Sequence, residues 1–348
     1  MLPITRSQIN KAGDALVTNP QDAAAAESLE MWRQIHATPL QKVHDFLMNC
    51  VGQCTLECDG NVIFSNRLKR SEAIINKLRR FSAMDLTRMQ DLAGIRMVLY
   101  TSCPPEHELH DVNQIFQHCL ANLTEQFRVR DKIFHYIDNP KDSGYRAIHL
   151  VVDCDTDNPQ FPTLPIELQI RTRHQHLWAM AVETAGMFYN EALKSSEGSE
   201  EWLTFFKMCG AAIAHIESGT VTAEYADYTL NDLKNTLKQY ASDRTFFTKM
   251  ANIKAVHDIV LNENWDFAYC IIDLDIRKGK SVVYSFLQDQ FESANSLYTR
   301  LEQSPACQNG DAYTVLVSVD HLKNIQALYP SYFLDVAEFM RIIQKFVS

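Results

Sequence analysis

The sequence predicts an α+β fold, and three patterns carry that prediction. Apolar runs of strand length occur at residues 89–101, 147–155 and 165–171. Segments with apolar residues at helical spacing precede and follow these runs. A second set of strand and helix patterns, with its own apolar positions, fills residues 221–348.

Composition sets the outer bounds. A chain of 348 residues is long enough for a full core and for two units. Its 46% hydrophobic and 22% charged content fits a soluble globular protein. No apolar run approaches the roughly 20 residues that span a bilayer, and the first residues have no hydrophobic signal core, so a cytoplasmic protein with no membrane partner is expected. The nine cysteines are scattered, with Cys50, Cys54 and Cys58 at helical spacing, and read as reduced structural thiols. A formal charge of −10 argues against coating nucleic acid wholesale, yet leaves room for a local basic groove. Between Arg67 and Arg80 stand six basic residues and one acid, Glu72.

In chain order, residues 1–60 read as helical. Residues 23–36 are Ala- and Glu-rich, anchored by Trp32 and capped by Asp22, and residues 40–50 repeat apolar side chains at helical spacing. A short strand is expected at 61–65. The amphipathic helix 71–80 (SEAIINKLRR) turns Ile74, Ile75 and Leu78 inward, and Lys77 and Arg80 onto a polar face near Arg67 and Lys69. Such a cluster suits a polyphosphate, although a charge run can also be a plain solvated face. The buried strand 89–101 has Asp91 at its mouth. A helix at 104–123 and a strand at 126–137 lead into the loop Asn139-Pro140-Lys141-Asp142-Ser143-Gly144-Tyr145-Arg146. Its two cations, glycine and aromatic ring suit a phosphorylated, base-bearing substrate, though the same residues make any surface turn. The strand at 165–171 carries one lone acid, Glu167. Asp91 and Glu167 suffice for a magnesium site if they meet, because magnesium takes one or two carboxylates plus substrate phosphates. Next comes a helix of about 20 residues with Trp178, Met187 and Phe188 as core. His174, His176 and Glu183 on it do not have metalloprotease spacing. Another helix covers 202–215.

The motifs Arg67-x-Lys69, Lys77, Asp91-Leu-Ala-Gly-Ile-Arg96, Tyr136-Ile-x-x-Pro140-Lys141-x-x-Gly144-Tyr145-Arg146-x-x-His149 and Glu167-Leu-Gln-Ile-Arg-Thr172, followed by His176-Leu-Trp178-Ala, resemble the synthetase domain of RelA/SpoT alarmone enzymes. The resemblance implies a nucleotidyltransferase-like mixed sheet flanked by helices, and transfer of the β,γ-pyrophosphate of ATP to a ribose 3′-hydroxyl. It implies that Arg67 and Arg96 sandwich the adenine, and that Lys69 and Lys77 hold the ATP phosphates. Asp91 and Glu167 would hold Mg2+, with Glu167 also taking the acceptor's proton. Tyr145 would stack on the acceptor base, while Lys141, Arg146 and His149 orient it. Ala73 departs from the pattern, since many members have a serine four residues before the helix lysine. The first 60 residues are too short for the hydrolase half of the long members, and His44-Asp45 reads as an ordinary helix surface.

Residues 221–348 are expected to form a separate regulatory domain. A long helix over 223–261, broken near 242–244, leads to strands at 267–276 and 281–286 joined by a hairpin turn. A helix at 290–302, a strand at 313–319, a short helix from Asp320, the segment Tyr329-Pro330-Ser331-Tyr332 and a last helix to Phe346 complete it. Cys270, Cys307 and His321 do not make a zinc set, so a finger-like shape would have to hold without metal. A synthetase domain followed by such a domain with Tyr329-x-x-Tyr332 resembles the fused toxin-antitoxin alarmone synthetases of the CapRel type. That resemblance implies an autoinhibitory domain whose tyrosines cover the ATP site, release by a phage capsid protein, and pyrophosphorylation of the tRNA 3′ CCA end. The partition expected is 1–60, N-terminal helices; 61–220, pyrophosphokinase; 221–348, antitoxin and sensor. The alternative acceptor is GDP or GTP, as in a housekeeping alarmone synthetase. A catalytically dead binding module is the third reading, and retention of both acids and all the ATP-site cations weighs against it.

Overall fold

The computed structural model describes residues 4–189, 191, 193, 196–247, 249–250, 268–275, 280–308, 312–318 and 332–348. Tyr329, His321, the turn at 277–279, the helix expected from Asp320 and the side chains of Met187, Phe188, Cys270 and Tyr332 lie outside that description. The chain divides into two compact units, residues 1–140 with 146–173, and residues 141–145 with 174–348.

The first unit opens with three helices, α1 (Arg6–Thr18), α2 (Ala23–Ile35) and α3 (Ala37–Gly52). Thr5 and Gln8 close a capping box on α1, and Asp22 caps α2 by accepting the Ala25 amide. Strands β1 (Gly60–Leu68), β2 (Ala93–Thr101), β3 (Arg128–Val129), β4 (Phe134–His135), β5 (Ile148–Asp155) and β6 (Thr163–Thr172) form one six-stranded sheet. Its order is β1-β2-β6-β5-β3, with β4 also on β5. Only β2 and β6 run parallel, so the sheet is mixed and flanked by helices, as expected. Helices α4 (Ser71–Arg80) and α5 (Pro105–Gln126) complete the unit. Ile95, Met97, Leu99, Leu150, Val152, Leu168 and Ile170 bury one sheet face in a core shared with Leu40, Val43 and Leu47 of α3 and Ile115, Phe116 and Cys119 of α5.

One element of this unit differs from expectation. The strand expected over 126–137 is two pairs of residues, because the register slips between them. Phe134 lies six positions after Arg128, but their partners Asp153 and His149 are only four positions apart. The two surplus residues bow out of the ladder as a bulge. Arg130 anchors the near side through Asp153 at 2.6 Å.

The second unit is built on α6 (Arg173–Phe188, from His174 onward), α7 (Glu200–Ser218) and α8 (Leu230–Asp243). Helix α8 starts seven residues later than expected because Thr229 and Asp232 form its capping box. It ends where a break was expected, with Thr245 at φ 55° just beyond. Strands β7 (Tyr269–Asp275), β8 (Lys280–Phe286) and β9 (Ala312–Ser318) make an antiparallel sheet in the order β8-β7-β9, with helices α9 (Phe291–Glu302) and α10 (Pro305–Gln308) alongside. The last helix, α11 (Tyr332–Val347), buries Val336, Phe339 and Ile343 in the same aromatic core as Trp178, Phe205, Phe206 and Leu237. The eight described cysteines are free thiols, and no described helix is long and apolar enough to cross a membrane.

Candidate functional site

The sheet face opposite the first core is polar. Side chains of paired residues on neighbouring strands point the same way, so strand register decides which of them share a face. One row runs Arg67, Gly94, Glu167, Val151 across β1, β2, β6 and β5, and the next runs Ser65, Arg96, Gln169, His149. Arg67 and Arg96 are therefore diagonal neighbours. Such diagonal positions stand about 7–8 Å apart in an antiparallel pair, within reach of one another's long side chains.

Asp91 precedes β2 by two residues. Lys69 Nζ donates to its Oδ2 and Lys77 Nζ to its Oδ1, both at 2.8 Å. Lys69 comes from the end of β1, where its own amide donates to Leu92 O at 2.7 Å, and Lys77 comes from the last turn of α4. Burial opposes ionisation of Asp91, but the two ammonium groups outweigh it and hold the carboxyl down to about 2.

Glu167 is gripped on both oxygens. His149 Nδ1 lies 3.1 Å from Oε1, and Gln169 Nε2 donates to Oε2 at 2.9 Å. Gln169 is held in turn by Arg171, whose Nη2 donates to Oε1 at 2.6 Å from a side chain only 2% exposed. Burial again pushes the Glu167 carboxyl up, yet the hydrogen bond and charge of His149 bring it below its ordinary value, against an upward push from the Asp91 charge. Gly94 keeps the neighbouring position clear, since a Cβ there would lie 3.2 Å from Glu167 O and 3.8 Å from its Oε2.

The remaining sequence candidates divide between the units. Arg146 is 5% exposed and its Nε donates to Ile137 O at 3.2 Å within the first unit. Lys141 and Tyr145 belong to the second unit, where the Lys141 ammonium lies 5.1 Å from the Tyr145 ring. Their turn is closed by Gly144 N donating to Lys141 O at 2.8 Å. Gly144 has φ +87°, and a Cβ on it would come within 3.2 Å of Lys207 Cα on α7. Gln169 and Gly94 lie inside the quoted motifs but carry no role in the sequence reading, although each falls on the face of Glu167 by strand alternation.

The donors suit a hard cation that brings its own phosphates. Among the described residues no group of three or more His, Cys, Asp or Glu could hold a metal alone, which leaves Asp91 and Glu167 as carboxylates to be completed by phosphate oxygens. Each carboxylate oxygen has a second lone pair beyond its present hydrogen bond.

Residues 66–194 match the family model described as the region found in RelA / SpoT proteins. The chain is 31% identical over 121 residues to GTP pyrophosphokinase YwaC of Bacillus subtilis, covering 33% of this chain and 52% of that one. It is 23% identical over 202 residues to the uncharacterized protein Rv1366 of Mycobacterium tuberculosis, covering 57% of this chain and 65% of that one. The chain thus spans about half to two thirds of the length of these relatives. The crystal structure of small alarmone synthetase 1 from Bacillus subtilis bound to its product pppGpp aligns at a TM-score of 0.41 and 21% identity, covering 55% of this chain and 94% of that one.

Proposed function

We propose that this chain is an ATP-dependent pyrophosphokinase that transfers the β,γ-pyrophosphate of ATP to a ribose 3′-hydroxyl. The observation that carries the reading is a carboxylate clamped by two lysines just before β2, near enough for its charge to act on a second carboxylate clamped by a histidine and an amide on β6. Both lie in the stretch matched to RelA / SpoT proteins, and relatives named GTP pyrophosphokinase support the same chemistry.

In this reading Arg67 and Arg96 hold the adenine between their planes, while Lys69 and Lys77 turn from Asp91 to the phosphates. The acceptor oxygen attacks the β-phosphorus, the bond from that phosphorus to the α,β-bridging oxygen breaks, and AMP leaves. The acceptor's proton passes to Glu167, which must lie within hydrogen-bond reach of the hydroxyl. Mg2+ bound by Asp91, Glu167 and the phosphates would neutralise charge on the transferring group. Lys141, Tyr145, Arg146 and His149 are assigned to the acceptor, His149 through its grip on Glu167.

Two acceptors remain in play. The resemblance of the C-terminal sequence to CapRel-type fusions favours the tRNA 3′ CCA end, and would make Tyr329 and Tyr332 an inhibitory plug released by a phage capsid protein. The names of the relatives favour GDP or GTP. A transfer assay with γ-labelled ATP, offering bulk tRNA and GDP/GTP separately to the full chain, decides between them. Label on tRNA, rising in Tyr332→Ala, is expected. Label on the guanine nucleotide alone removes the antitoxin assignment, and label on neither in wild type and Tyr332→Ala refutes the pyrophosphokinase reading.

A further inference from the structure

The polar face continues past His149 onto an aromatic strip. Just beyond the bulge in the β3–β4 edge, Phe134 and Tyr136 stack with ring centroids 5.2 Å apart and planes 16° from parallel. Tyr136 stands edge-on to the His149 imidazole at 5.4 Å, and the Lys132 ammonium lies 4.6 Å from the centre of the Phe134 ring. His149 is the residue that grips Glu167. The strip therefore runs unbroken from the proposed general base to the sheet edge, all within the first unit.

Core packing does not account for these rings. Both are partly exposed, and among the described residues neither belongs to the three apolar clusters, although their neighbours Ile133 and Ile137 pack there. The bulge sets Lys132 on the surface beside them, as bulges near functional sites often re-aim side chains. Stacked, accessible aromatic rings flanked by a cation are the chemistry that holds single-stranded nucleic acid, because every base has a π face and every linkage an anionic phosphate.

We propose that Lys132, Phe134 and Tyr136 form a stacking subsite for a second nucleotide, so that the acceptor is the 3′ end of a single-stranded RNA and not a mononucleotide. The proposal rests on the transfer reading above and extends its site by one nucleotide. A mononucleotide with its 3′-hydroxyl at Glu167 has one base and no use for a second platform. An incoming base displaces the Lys132 ammonium from the Phe134 face, since an exposed cation–π contact is weaker than a stacked base. The freed ammonium then meets the flanking phosphate.

The test uses the full chain and a 5′-fluorescein hexaribonucleotide with a free 3′-hydroxyl, its binding read by anisotropy without ATP. Phe134→Ala is expected to weaken binding about tenfold, Phe134→Tyr to restore it, and Lys132→Ala to lower the salt slope by about one. In transfer from ATP, Phe134→Ala should raise the KM for the hexanucleotide by a similar factor and leave the KM for ATP and the Tm unchanged. Unchanged hexanucleotide binding in Phe134→Ala overturns the subsite. An equal rise in the KM for GDP also overturns it, because the ring would then hold the acceptor's only base. If Phe134→Ala weakens binding but no acceptor takes label even in wild type, the subsite stands and the transfer reading falls.

Discussion

The two carboxylates of the candidate site are held by opposite means. Asp91 sits between two ammonium groups, whose charges more than offset its own. Glu167 is held by an imidazole and a carboxamide, the second oriented by a buried guanidinium one step further away. The difference assigns labour. In the proposed transfer, polyphosphate would compete for the lysines and release Asp91 toward a cation, whereas the contacts that hold Glu167 involve no lysine. Because its carboxyl lies below the ordinary value, Glu167 stays ionised at pH 7 and is a weak base. Its placement must therefore contribute alongside its basicity.

The largest test of this contrast is Glu167→Gln. Transfer should fall by about 10³-fold or more, near the upper range for a lost general base, while ATP still binds. Single-turnover rates and nucleotide titration measure the two separately, and a loss under tenfold would remove Glu167 from the chemistry. Asp91→Asn should cost less, on the order of 100-fold, and raised Mg2+ should recover part of it. It also leaves Lys69 and Lys77 facing one another, so the free chain should lose thermal stability that ATP restores. Equal losses in both variants with no response to Mg2+ would mean that the carboxylates share one role.

A buried histidine outside the site supplies the next contrast. His149 leans on a carboxylate, whereas His36 sits at the α2–α3 junction with 0% exposure, its Nδ1 2.9 Å from Trp32 O. Burial lowers its pKa from 6.5 to about 4, against a smaller upward effect of that backbone bond. Because the folded value lies below the unfolded one, the unfolded chain binds the extra proton between pH 6.5 and 4. Stability is then full above pH 6.5 and falls by about 3 kcal/mol as pH drops to 4. Urea unfolding of wild type and His36→Gln across that window should show the slope flattened in the variant. Parallel slopes would place the titration elsewhere.

Much of this arrangement was legible before any coordinates. Helix α4 falls on its expected bounds, since its apolar stripe and terminal basic run leave no other period, and β2, β5 and β6 follow their apolar runs. The β3–β4 break was not legible, because a register slip depends on the partner strand and leaves no mark on local composition. Lys141 and Tyr145 were read as one loop with Arg146. Contacts distant in sequence, Gly144 against Lys207 and Gly210, tie the first two to the helical unit instead. Gln169 was hidden for a simpler reason: a lone amide in a strand reads as a filler until alternation puts it beside Glu167.

That amide gives the smallest and sharpest test. If placement contributes, Gln169→Leu should lower kcat about tenfold while the KM for ATP and the Tm stay put, because one of the two contacts fixing the carboxylate plane is gone. Arg171 reaches Glu167 through Gln169 in this geometry, so on kcat the double variant Gln169→Leu, Arg171→Lys should be no worse than Gln169→Leu alone. Additive losses would give Arg171 a separate role. An unchanged kcat in Gln169→Leu, with Glu167→Gln inactive, would mean that His149 alone sets the carboxylate, and the relay along β6 would then serve only the packing of the strand.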